Sequence, residues 1–319
     1  LKLIHSVAVT PGLCGLFETA NNLIEAERAL GIDAVIVDPL KEDVPLDGDL
    51  LVDHSGLTDA MWKSGLPVIH VRHGRPHSSF LMQESGGKKV FTSLRNGRAR
   101  YARVVTFWKQ HVPYLELLFD RTDIVVLPPP VDLKAWHPSG SVHDFGANKG
   151  VVNLVCADIF RLDEDPFHVL VACGLLPGDF KVHLAGLKGG INQATNTLVS
   201  MLGSNRGSMF SWIKELACLY RAADLVISPH KIATRAVREA MACGVPVLAD
   251  LGNEHAAFTA DAHDAKAFAE GIIRASAYVS PTKLETRLYA ERHFDPLDTA
   301  TAFLKVARSV IEEKVPCTI

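Results

Sequence analysis

Short apolar runs along this chain alternate with longer stretches in which apolar residues return every three or four positions. The first kind reads as buried strand and the second as amphipathic helix. Leu3 to Val9 is the first such run, and Thr10 to Gly15 is a turn holding Pro11, Gly12 and Gly15. Glu18 to Leu30 then offers Ala20, Leu23, Ile24, Ala26 and Leu30 as an apolar face, and Gly31 stops the helix. Further strands are expected at Ala34–Val37, Asp49–Val52, Pro67–Val71 and Asp123–Leu127. The second half repeats the scheme, with strands at Val151–Ala157, Phe180–Ala185, Asp224–Ile227 and Val245–Ala249. Helices are expected there at Trp212–Ala222, Arg235–Cys243, Asp264–Ala277 and Leu297–Glu313. Strands that alternate with helices imply an α/β fold with parallel sheets.

The stretch Ile227 to Asp250 is the most informative. Ser228-Pro229 ends a strand, because proline lacks the donor that a ladder needs. Thr234 is a good N-cap, Val237, Ala240 and Met241 form the apolar stripe, and Gly244 is the stop. The loop before Thr234 therefore lies beyond the carboxyl end of a strand and at a helix N-terminus. Both features favour an anionic ligand.

Length adds two domains as the natural division of 319 residues. Pro128-Pro-Pro130 cannot continue a central strand and makes a stiff exit, so the boundary is expected between Pro138 and Lys149. The expected domains are 1–140 and 141–295, followed by a final segment, 296–319. A net charge of −3 excludes a polycation as a whole. The six cysteines, at 14, 156, 173, 218, 243 and 317, form no C-x-x-C pair, which points to a reduced cytosolic protein. No apolar run approaches ~20 residues, so no spanning helix is expected. Leu1 to Ile4 runs straight into a strand, so no signal peptide is expected either. Metal-ligand spacing is absent among the 14 histidines, and no carboxylate pair stands out.

Charge is uneven. From Ser85 to Leu115 the chain carries Lys88, Lys89, Arg95, Arg98, Arg100, Arg103 and Lys109 with no acidic residue. This is either a solvated face or a patch for an anionic acceptor. Phe91, Tyr101, Phe107 and Trp108 within it suit stacking or a core equally well. His73 follows a strand directly and is either a turn residue before Gly74 or a group at the ligand edge of a sheet.

Glu239-Ala-Met-Ala-Cys-Gly-Val-Pro-Val247 resembles the E-A-M-A-x-G-x-P-V signature of retaining GT-B glycosyltransferases of the family 4 type. Leu219-Tyr-Arg-Ala-Ala-Asp224 is similar to that family's Y-x-x-A-D, and Val131-Asp132, Trp136 and Pro138 keep the spacing of its interdomain N-G-V-D-x-x-x-F-x-P. Two departures stand out. The family's first glutamate, eight before Glu239, is Lys231, and the lysine of its G-R-L-x-x-x-K-G is Pro166.

The resemblance implies two Rossmann-like domains with parallel sheets facing a central cleft, and a last helix that crosses back to the first domain. It implies a nucleotide-diphospho-sugar donor, UDP- or GDP-linked, with no further cofactor and no metal. Gly15, Gly186 and Gly203 become counterparts of the family's donor-binding glycines, and Thr234 and Arg235 open its phosphate-binding helix. Glu239 becomes the ribose-binding glutamate, His73 the cleft histidine against the transferred sugar, and Arg161 the diphosphate arginine. Lys231 stands where it can replace the missing lysine. The activity implied is sugar transfer to an acceptor hydroxyl with retention, without a protein nucleophile. The first domain would meet an anionic acceptor: a phosphorylated lipid or glycan first, nucleic acid second. A cytoplasmic protein with optional peripheral membrane contact follows. Rival readings are a GT-B phosphorylase or epimerase-like relative, a phage-type DNA glucosyltransferase, and a non-catalytic sugar-nucleotide or nucleic-acid-binding module.

Overall fold

The computed structural model describes residues 1–7, 15–39, 46–73, 100–146, 150–157, 167–185, 207–210 and 215–313. Packing divides the chain into two compact units. Leu1–Val131 and Phe294–Ile319 form the first, and Asp132–His293 the second.

The first unit is built on a parallel six-stranded sheet. Its strands are β1 (Lys2–Ser6), β2 (Asp33–Val37), β3 (Leu50–Asp53), β4 (Val68–Arg72), β5 (Arg103–Thr106) and β6 (Ile124–Val126), in the order β2-β1-β3-β4-β5-β6. Helices α1 (Gly15–Ala29), α2 (Asp59–Lys63) and α3 (Val112–Phe119) connect them. Ile4, Leu51, Val68, Val104, Leu115 and Phe119 form a core on one side of this sheet. Strand β5 lies inside the cationic stretch, and its Val104 and Val105 are fully buried. Tyr101, Phe107 and Trp108 are core residues too, which decides their reading within this stretch.

The second unit repeats the plan with β7 (Val152–Cys156), β8 (Phe180–Ala185), β9 (Gly207–Phe210), β10 (Leu225–Ile227), β11 (Val247–Asp250) and β12 (Phe258–Ala260). Their order is β12-β11-β10-β7-β8-β9, and all pairings are parallel. Its helices are α4 (Phe167–Gly174), α5 (Leu216–Ala222), α6 (Arg235–Ala242), α7 (Ala265–Ser276) and α8 (Val279–His293). Helix α8 has no clean apolar stripe, which is why periodicity does not announce it.

The last helix, α9 (Pro296–Glu312), packs on α1 within the first unit. Ala300, Phe303, Leu304, Ala307 and Val310 recur at three- and four-residue steps and are buried, so the burial follows the helical period. Asp295 caps it by accepting from the Leu297 N–H at 2.9 Å, with Pro296 in the first turn. The Thr299 hydroxyl donates to the Pro128 carbonyl at 3.0 Å, and the Val131 N–H to that of Phe294 at 3.0 Å. Beyond Val131 the connection is held by the second unit. Arg221 donates to the carbonyls of His137 and Ser141 at 2.8 and 2.7 Å, and Arg287 to that of Trp136 at 2.8 Å.

In each sheet the order reverses once. Chain progress leaves β1 for β2 and then returns to β3 on its other side. In the second unit it leaves β7 for β8 and β9 and returns to β10. Ligands of open parallel sheets bind beyond the strand carboxyl ends at such reversals. Among the described residues no helix is long and apolar enough to cross a membrane.

Candidate functional site

In the second unit, the reversal lies between β7 and β10, and the chain leaving β10 runs through Ser228, His230 and Lys231 into α6. Thr234 is the N-cap, its hydroxyl accepting from the Val237 N–H at 3.4 Å, as its side-chain type predicts. The loop is braced from two sides. Asn253 donates to the His230 carbonyl at 3.0 Å, and Arg238 to that of Ala233 at 2.9 Å. Burial, with help from Arg235 and against the pull of Glu239, lowers the Arg238 pKa to about 10. At neutral pH it is still a cation, fixed beneath the loop. Helix α6 thus presents an ordered first turn carrying partial positive charge.

Glu239 lies one turn inside α6, is 3 % exposed, and is hydrogen-bonded by the Arg235 guanidinium four residues earlier. Arg235 and Glu239 are therefore brought together as an i, i+4 pair. Lys231 is exposed, with its Nζ 3.8 Å from Oδ1 of Asp250 at the end of β11. Burial raises the Asp250 pKa, while the Ala262 N–H and then Lys231 and His263 oppose the shift. The ammonium of Lys231 thus lies beyond the carboxyl end of β11, near a carboxylate that the sequence does not single out. Gly244 ends α6 with φ +76, and a Cβ there would meet Cγ of Pro138 at 3.3 Å, so both the turn and the packing call for glycine.

In the first unit, His73 directly follows β4 and is half-buried. Its Nε2 is 2.6 Å from Nδ1 of His54, which follows β3. Nε2 of His54 is in turn 2.9 Å from Nδ1 of His5 on β1. His5 Nε2 stands 2.8 Å from Oε2 of Glu27 on α1. Burial, then the neighbouring His73, His5 and His70, holds the His54 pKa well below the ordinary histidine value. A second buried group sits beside it. Asp53 accepts from Tyr101 at 2.8 Å, from the Gly56 N–H at 2.6 Å, and is 3.1 Å from Nδ1 of His70. Burial pushes the Asp53 pKa up, but these partners outweigh it and the net shift is downward. His70 is accordingly a structural histidine.

Gly15 opens α1. Arg161, Gly186 and Gly203 lie outside the described residues, as do Lys88, Lys89, Arg95 and Arg98 of the cationic stretch. Arg100 lies over the Trp62 ring at 5.5 Å. Arg103 is 2.6 Å from Glu313 and 3.8 Å from Asp123, so counter-charge reaches it from distant parts of the chain. The described residues contain no group of three or more histidine, cysteine or acidic side chains placed to hold a metal ion.

Residues 170–277 match the family model described as glycosyl transferases group 1. A structure of the Anabaena protein Alr3699/HepE in complex with UDP and glucose is similar over 97 % of this chain and 99 % of that one, at 13 % identity and a TM-score of 0.70. A glycosyltransferase from Rickettsia africae ESF-5 is similar over 98 % of both chains, at 14 % identity and a TM-score of 0.69. WaaG, a glycosyltransferase involved in lipopolysaccharide biosynthesis, is similar over 97 % of this chain and 99 % of its own, at 13 % identity and a TM-score of 0.65. No curated protein matches the chain by sequence. The chain therefore has the GT-B fold, two parallel-sheet units of the Rossmann kind, and its second unit carries a segment matching the group 1 glycosyl transferases.

Proposed function

We propose that the chain is a retaining, metal-independent glycosyltransferase that moves a sugar from a UDP- or GDP-linked donor to an acceptor hydroxyl. The observation that carries this reading is Glu239. It is a buried carboxylate one turn inside a capped helix, beyond the strand reversal of the second unit, within the matched segment. In this role its carboxylate accepts from the ribose hydroxyls of the donor, and Arg235 fixes its rotamer. The first turn of α6 takes the diphosphate, since a helix N-terminus carries about half a positive charge and unsatisfied N–H donors. Lys231 and Arg161 add cations that stabilise the departing diphosphate without a metal. Gly186 and Gly203 would approach the nucleotide by backbone, and Gly15 and His73 belong to the sugar and phosphate side.

The first unit handles the acceptor, and its cationic stretch favours an anionic one, a phosphorylated lipid or glycan before nucleic acid. That UDP and glucose occupy the Anabaena relative supports the donor class. The test is turnover of labelled UDP- and GDP-sugars, with the anomeric configuration of the product read by NMR. Retention, full activity in EDTA and an acceptor KM that rises steeply with salt are expected, because screening limits exposed charges to ~8 Å at physiological ionic strength. An inverted product, or activity abolished by EDTA and restored by Mn²⁺, overturns the mechanism.

A further inference from the structure

Glu27, His5, His54 and His73 lie in sequence across α1, β1, the end of β3 and the end of β4. Strands β1, β3 and β4 are sheet neighbours, so the row crosses the strand reversal of the first unit. Glu27 and His5 are fully buried and His54 is 3 % exposed. The histidine rings stand 5.2 and 4.9 Å apart between centroids. Phe303 of α9 flanks His5 at 6.4 Å and Phe107 flanks His73 at 5.4 Å. Among the described residues, the ionisable groups beside the row include His70 and Asp53, which partner each other, Tyr101, which donates to Asp53, and Arg72, which lies within electrostatic reach of Asp53.

Each contact needs one proton between its two atoms. Two lone pairs facing each other at the 2.6 to 2.9 Å seen here repel, and two N–H groups repel equally. His5 Nε2 and Oε2 of Glu27 are 2.8 Å apart but out of line for a hydrogen bond, so the last transfer takes a rotation of the Glu27 carboxyl; at that distance an unprotonated Nε2 facing the carboxylate would still repel it. When any proton on Glu27 sits on Oε2, the oxygen facing His5, two patterns with neutral rings satisfy all three contacts. With Glu27 ionised, His5, His54 and His73 each carry the proton on Nε2. With Glu27 protonated, each carries it on Nδ1. The two patterns differ by one proton.

We propose that Glu27, His5 and His54 form a relay that moves a proton between His73 and the buried carboxylate. A proton arriving at Nδ1 of His73 sends its Nε2 proton to Nδ1 of His54. The Nε2 proton of His54 passes to Nδ1 of His5, and that of His5 to Glu27. Three rings end neutral with their tautomers inverted, and the single negative charge is cancelled. Glu27, His5 and His54 are positioning residues, and the group meeting substrate is His73. Use of the relay on the proton of an acceptor hydroxyl rests on the transfer reading above; the coupled tautomers do not.

The test needs no substrate, so failure of the transfer reading leaves it intact. Protein labelled with ¹⁵N-histidine is followed by NMR from neutral pH to acid unfolding, with His5, His54 and His73 assigned by single substitutions. Expected are ¹⁵N–¹⁵N couplings across both histidine contacts, and a swap of His54 from the Nε2–H to the Nδ1–H form on acidification without passing through imidazolium. Glu27→Gln removes the proton acceptor, and the swap should vanish while the fold persists. His54 becoming imidazolium, keeping one tautomer down to acid unfolding, or swapping unchanged in Glu27→Gln would overturn the relay. If that variant does not fold, His54→Phe decides: His73 should then charge alone, and His5 and His73 still swapping together would overturn it equally.

Discussion

Asp250 illustrates how one side chain reports on its surroundings. Its carboxylate is buried and its pKa is raised, so between the ordinary carboxylate value of 3.8 and the raised one the folded chain binds more protons than the unfolded chain. Stability linked to this group therefore falls as pH rises through that window. Asp250→Asn, which can still accept from the Ala262 N–H, should abolish that fall and stabilise the second unit at neutral pH. Urea midpoints from pH 4 to 7 check this; a variant less stable than the parent at pH 7 would show that the contact with Lys231 outweighs burial. At this scale the sequence is legible only where local context suffices. His73 stands out because it directly follows a strand, and Thr234 because it has a cap side chain before an apolar stripe. His5 and His54 are 49 residues apart and meet only through strand pairing, so nothing in either neighbourhood announces the row. Asn253, which braces the loop before α6 from 23 residues away, is hidden for the same reason.

Elements follow from periodicity where one face is buried and polar residues hold the other. Helices α6, α7 and α9 are legible on that ground, with Thr234, Asp264 and Asp295 as their caps. Strand β5 is masked by the charge around it, since Val104 and Val105 are flanked by arginine and aromatic residues that draw attention to a surface role. Helix α7 carries a packing constraint that no pattern reveals. A Cβ at Gly271 would come within 2.5 Å of Cβ of Ala260 on β12. Gly→Ala in a helix interior ordinarily gains about 1 kcal/mol. Overpacking costs about 1–3 kcal/mol, and a 2.5 Å approach to a paired strand sits toward the upper end. Gly271→Ala should therefore destabilise the fold by about 1–2 kcal/mol in urea titration; a stabilised variant would mean that α7 shifts freely on the sheet.

For the whole molecule, the alternation of strand and helix was sufficient to read α/β units with parallel sheets, and the signature Glu239 to Val247 to read the GT-B fold. The exact end of the first unit was not readable from composition. The second unit begins at Asp132, and Arg221 and Arg287, far away in sequence, hold the carbonyls of Trp136, His137 and Ser141 to it. The central claim is that the second unit holds a nucleotide-diphospho-sugar through Glu239. Thermal shift of the intact chain and of Glu239→Ala against UDP- and GDP-sugars tests it most directly. A ligand at a hundred times its Kd stabilises by about 2.7 kcal/mol. Loss of two charge-assisted hydrogen bonds should weaken donor binding by about 2–4 kcal/mol. The account predicts a rise in Tm with at least one of these donors, nearly lost in a folded Glu239→Ala variant. No shift with any donor, or an equal shift in both proteins, would contradict it.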